Sequence, residues 1–98
     1  MNAIEFCHII IERYATRDPF RIAERAGVRI IYESWFPATI GEFDKKRRTI
    51  CVNTQGGEAS EKIVAHELGH FFAAELGFDK AAEEKFCREF AESLTEKL

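Results

Sequence analysis

Two of the three histidines in this chain, His66 and His70, stand four residues apart, and Glu67 directly follows the first. On an α-helix, positions i and i+4 lie one above the other, so both imidazoles can aim a nitrogen at one point beside the helix. That arrangement supplies two ligands of a tetrahedral zinc site. Glu67 is turned by about 100° from His66, which lets its carboxylate lie next to the metal without being a ligand. There it can take a proton from water as a general base. The competing reading is that the histidines merely pack, leaving a metal-free structural domain.

A catalytic zinc with two histidines takes a third protein ligand and keeps a fourth position open. His8 is far away in sequence, so a carboxylate is the better candidate, and the carboxy-terminal segment offers Glu83, Glu84, Glu89 and Glu92. Helical periodicity favours Glu83, nearer the middle of the apolar face formed by Phe86, Cys87, Phe90, Ala91, Leu94 and Leu98. Glu84 has small Cys87 and Ala91 on its own side, which permits close approach to the histidine helix. Residue pattern alone leaves the two open.

The elements that must position these groups can be read outward from them. Ile63, Val64, Leu68, Phe71 and Phe72 give the histidine helix a buried face, while Ala65, Ala73 and Ala74 keep it slim. Ser60 or an earlier residue caps it, and it is expected to run to Leu76 and stop at Gly77. Asp79 is the expected N-cap of a last helix. Upstream, Ile4, Cys7, Ile11, Tyr14 and Ala15 form a helical stripe, with His8 read as a partly buried packing residue. Asp18-Pro19 opens a short second helix that ends at Gly27.

Val28 to Glu33 reads as a strand, broken by Trp35-Phe36-Pro37. Thr39 to Phe43 and Thr49 to Asn53 read as an antiparallel hairpin around Asp44-Lys45-Lys46-Arg47-Arg48. The four basic residues at its tip are expected to be a solvated turn. Asn53-Thr54-Gln55-Gly56-Gly57 is a loop, and Tyr32 reads as a packing residue rather than an oxyanion stabiliser. The expected fold is α+β: two amino-terminal helices, a small, mainly antiparallel three-stranded sheet, the histidine helix and a packed carboxy-terminal helix, together zincin-like.

Composition narrows the function classes. The 98 residues carry 14 basic and 17 acidic side chains, for a net charge of −3, so there is no electrostatic footprint for nucleic acid. A chain of this length is expected to form one domain over residues 1–98, burying roughly 60–70% of its unfolded surface. Three separated cysteines, Cys7, Cys51 and Cys87, lie in apolar segments without CxxC spacing and suggest reduced thiols in a cytoplasmic protein. The apolar run from Phe6 to Ile11 is too short for a membrane span and lacks a basic leader.

Taken together, the motifs resemble the ImmA/IrrE family of zinc metallopeptidases, minimal relatives of the gluzincins. Asp18-Pro19-Phe20 with Ala23 and Gly27-Val28-Arg29-Ile30 resembles the family's opening, Ile50-Cys51-Val52-Asn53 its strand before the active helix, and Ala65 to His70 its signature. The segment from Glu84 to Ala91 resembles the family's Glu-x-x-Ala-Asn-x-Phe-Ala element. In that register the resemblance implies a zinc site of His66, His70 and Glu84 with Glu67 as base. It further implies an endopeptidase acting on a protein or peptide substrate such as a DNA-binding repressor. Arg88 stands where the family has asparagine and cannot accept a hydrogen bond from a ligand histidine, so the surrounding hydrogen bonds are expected to be built differently. A zinc-stabilised binding module without turnover is the alternative function.

Overall fold

The computed structural model describes residues 1–34, 41–55 and 59–96. The Trp35-Phe36-Pro37 break, the first residues of the hairpin at Thr39-Ile40, the Gly56-Gly57 loop and Leu98 lie outside these. Two amino-terminal helices, α1 (Ala3–Tyr14) and α2 (Pro19–Arg25), precede strands β1 (Arg29–Glu33), β2 (Gly41–Asp44) and β3 (Thr49–Asn53). Helices α3 (Ser60–Ala73) and α4 (Lys80–Leu94) follow, which is the expected α+β order.

The helix signals act where the residue chemistry puts them. Asp18 caps α2 by accepting from the Phe20 amide at 2.9 Å, with Pro19 in the first turn. Asp79 caps α4 by accepting from the Ala82 amide at 2.8 Å. Gly27 and Gly77 take φ values of +75° and +73°, the left-handed conformation that lets the chain leave a helix without a Cβ clash. The helix α3 ends earlier than expected, at Ala73, and reaches Gly77 through a turn. Its cap position is Ala59, with no side-chain cap bond, so Ser60 is the first helical residue and not the cap.

In α1 the buried line is Ala3, Cys7 and Ile10, whereas Ile4 is 54% exposed and His8 is exposed. Of the expected stripe, Cys7 is buried and Ile11 and Tyr14 pack against the core, while Ile4 and Ala15 are exposed, as α1 leans on α4 through Phe6, whose ring lies 5.5 Å from Phe86 and 6.1 Å from Phe90. His8 is thus exposed rather than partly buried, and it belongs to no cluster of metal-ligating groups among the described residues.

The sheet is mixed, in the order β1-β3-β2. The hairpin pairs antiparallel as expected, with Phe43 opposite Ile50, but β1 joins β3 in parallel, with Ile30 beside Ile50. Among the described strands, β3 alone has neighbours on both sides, and Thr49, Ile50, Val52 and Asn53 are buried accordingly. Strand β2 is left at the edge next to α3. A glycine at position 41 is required there, since a Cβ would come within 2.5 Å of Ile63 Cγ2 and 3.4 Å of Glu67 Cγ.

Long-range caps tie the helices to one another. The Arg17 guanidinium donates to the Ser93 carbonyl at 2.7 Å at the end of α4, and Arg25 donates to the Tyr14 carbonyl at the end of α1. Both satisfy carbonyls that a helix leaves without internal partners. Among the described residues, no helix is long and apolar enough to cross a membrane.

Candidate metal centre

Position on α3 sorts its side chains into two groups. Ile63, Val64, Ala65, Leu68 and Gly69 are buried against the rest of the protein, while His66 and His70 are half-buried on the side facing α4. Their rings lie 5.3 Å apart between centroids, as the i, i+4 spacing requires. One nitrogen from each, with one oxygen of Glu67, falls within a group whose atoms all lie within 4.8 Å of one another.

Glu84 approaches the same two rings from α4. One carboxylate oxygen lies 3.3 Å from His66 Nε2 and the other 2.9 Å from His70 Nε2. The tetrahedral edge between a nitrogen and an oxygen ligand of zinc is about 3.4 Å, from bond lengths near 2.1 Å. Each imidazole meets a different oxygen of the carboxylate, Oε2 at His66 and Oε1 at His70, so Glu84 spans the pair and brings a ligand atom within that range of both. The histidine pair with Glu67 forms a group that could hold a metal ion, and Glu84 brings a second carboxylate to the same two rings. Glu83, the other candidate, sits elsewhere on the ring: its Oε2 is 2.7 Å from His70 Nδ1.

Close approach of α4 makes this meeting of groups geometrically attainable. A Cβ at Gly69 would lie 3.0 Å from both Cα and Cβ of Cys87 and 3.1 Å from its sulfur. The helices touch here closely enough that any side chain at position 69 would require Cys87 to give way by a few tenths of an ångström. Burial, followed by the neighbouring Glu83, Glu84 and Glu67 carboxylates, raises the Cys87 thiol far above its ordinary value, so it stays an uncharged packing group.

Glu67 is 8% exposed, and burial raises its carboxyl from an ordinary 4.5 to about 7. The nearby His70 opposes that rise, while Glu84 and Glu42 add to it. Burial also lowers His66, partly offset by the adjacent Glu84 carboxylate. Glu67 and His70 line an open cleft of about 610 Å³, together with Glu42, Phe43, Asp44 and Lys45 of the hairpin, Ala74 and Glu83. The cleft thus reaches the histidine pair from the His70 side, along the edge strand β2.

Three other expectations concern the surroundings of the site. Tyr32 is 52% exposed on β1, the strand farthest from β2, and is not part of the cleft lining. Arg88 is exposed on α4. The basic hairpin tip is exposed as expected, yet Arg48 is engaged: it donates to the Ala26 carbonyl at 2.8 Å, and its guanidinium carbon lies 5.2 Å from the Phe71 ring centre. Phe71 in turn meets Phe43 at 5.7 Å, so this contact braces the hairpin against α3. Residue pattern gave no sign of that role for Arg48; for Gly41, a glycine inside an apolar strand was the available signal.

No family model, curated protein or solved structure matches this chain.

Proposed function

We propose that this chain is a zinc-dependent endopeptidase in which His66, His70 and Glu84 hold the metal and Glu67 is the general base. The observation that carries the reading is the Glu84 carboxylate lying between the two Nε2 atoms, with a buried glutamate of raised pKa at the adjoining cleft. A zinc ion held there supplies Lewis acidity, lowering the pKa of water and polarising a peptide carbonyl. Glu67 accepts the proton of the attacking water and returns it to the departing amine nitrogen. A bound cation favours the ionised carboxylate that such a base requires.

The substrate in this reading is a protein segment lying extended along β2, the last strand of the sheet among the described residues, whose Glu42, Phe43 and Asp44 line the cleft. The ImmA/IrrE-like signature favours a regulatory protease acting in the cytoplasm on a repressor or similar DNA-binding protein, with no direct contact between this chain and nucleic acid.

The test compares parent and Glu67→Gln, both loaded with zinc, on an intact repressor-like partner. Both are expected to hold about one zinc per chain, and the variant to cleave about 10²- to 10⁴-fold more slowly. A parent that binds such a partner without cutting it, and a variant that behaves identically, would replace the enzyme by a zinc-stapled binding module.

A further inference from the structure

His70 is flanked by a carboxylate on each ring nitrogen, Glu83 Oε2 at 2.7 Å from Nδ1 and Glu84 Oε1 at 2.9 Å from Nε2. An ionised carboxylate can only accept a hydrogen bond, so the short contact to Glu83 places a proton on Nδ1. In a neutral imidazole the lone pair then sits on Nε2 and faces Glu84. Lone pair and carboxylate repel unless a second ring proton or a cation lies between them. The contact to Glu83 is met by the Nδ1 proton, and the contact to Glu84 is met either by a second ring proton or by a cation held between Nε2 and the carboxylate.

We propose that Glu83 is the positioning residue that holds His70 in the Nδ1–H tautomer and in its ring orientation, leaving Nε2 to the metal. This rests on the metal reading above. Successive residues of a helix are turned by about 100°, so Glu83 and Glu84 reach the ring from different sides, and the tight Gly69–Cys87 crossing brings both within range. Glu83 is the more enclosed of the two, with 30% of its side chain exposed against 50% for Glu84. It also lies in the first turns of α4, where a negative side chain is favoured by the helix dipole. Arg88 has five donors and no acceptor, so it cannot take the Nδ1 proton. Orientation of the ligand histidine is thus supplied by the residue directly before Glu84, and not by one four positions after it.

The experiment measures zinc affinity by chelator competition and the His70 tautomer by ¹⁵N-histidine NMR, with and without zinc, in four folded proteins. Parent chain should show His70 protonated at Nδ1. Glu83→Leu should lose that tautomer preference and bind zinc about 10- to 100-fold more weakly. Glu83→Gln, whose amide oxygen still accepts from Nδ1–H, should stay within roughly fivefold of the parent. Glu84→Gln should lose more affinity than Glu83→Leu while keeping the tautomer. A Glu83→Leu protein with parental affinity and tautomer overturns the inference, and one that loses zinc as completely as Glu84→Gln makes Glu83 a ligand instead. A parent that takes up no zinc overturns the metal reading and this inference together; the other two failures leave that reading standing.

Discussion

The same helix pair, α3 and α4, is held together in two different ways. One region is aromatic: Phe72 and Phe90 lie 6.1 Å apart, Phe86 and Phe90 stack at 6.3 Å, and Phe6 of α1 touches all three. The other is polar, with two imidazoles facing two carboxylates across the point where Gly69 meets Cys87. Apolar burial stabilises the first without any ligand. The second gathers groups that water would solvate as well, so its contribution depends on what occupies it. Stability and chemistry are thereby separated along a single interface.

The largest effect should come from the aromatic region. Phe90 is fully buried, and Phe90→Ala is expected to cost about 3–5 kcal/mol in chemical denaturation, the usual range for emptying an aromatic core site. Zinc content of the folded fraction should not change. A variant that lost zinc at temperatures where it remained folded would show that the two regions are not separable.

Next is the metal increment. With zinc at 100 times its dissociation constant, the parent should gain about 2.7 kcal/mol over the chelated protein. His66→Ala should gain nothing, and with chelator should melt within about 1 kcal/mol of the parent. Equal zinc-dependent shifts in the two proteins would remove His66 from the site.

The pH dependence sharpens the polar side further. In the folded protein the Glu67 carboxyl is raised from 4.5 to about 7, so between those values the native state holds a proton that the unfolded chain has released. Its contribution is full below pH 4.5 and is lost as pH rises through about 7. Glu67→Gln removes this titration. In chelator, the variant should therefore gain on the parent across that window, by up to about 3 kcal/mol. The lowered His66 acts in the opposite direction in both proteins and cancels in the difference. Parallel stability profiles from urea melts would contradict the burial of an ionisable Glu67.

The smallest change tests the point where the two regions join. Gly69→Ala puts a methyl 3.0 Å from Cys87 and should cost about 1–2 kcal/mol, less than a larger residue because alanine favours the helix. By pushing α4 away it should also weaken zinc binding, as read by the same chelator competition. Retention of both properties would mean that the close crossing is not what aligns the carboxylates.

Much of the fold depended on short-range chemistry and was legible in the sequence. The i, i+4 histidines share a helix face whatever the helix packs on, and Asp18-Pro19, Asp79, Gly27 and Gly77 act through backbone groups within a few residues of themselves. The antiparallel hairpin also follows from adjacent apolar runs. Only the tertiary structure decided the rest. Parallel pairing of β1 with β3 depends on which edge is free when the hairpin docks, and the exposure of Ile4 depends on how α1 rolls against Phe86 and Phe90. Periodicity alone favours Glu83, and small Cys87 and Ala91 argue for Glu84, so pattern within α4 does not decide between them. Which carboxylate meets which ring nitrogen is set by the rotation of α4 against α3, and the backbone contact at Gly69 and Cys87 sets that rotation. No pattern within either helix contains that register, because it exists only between them.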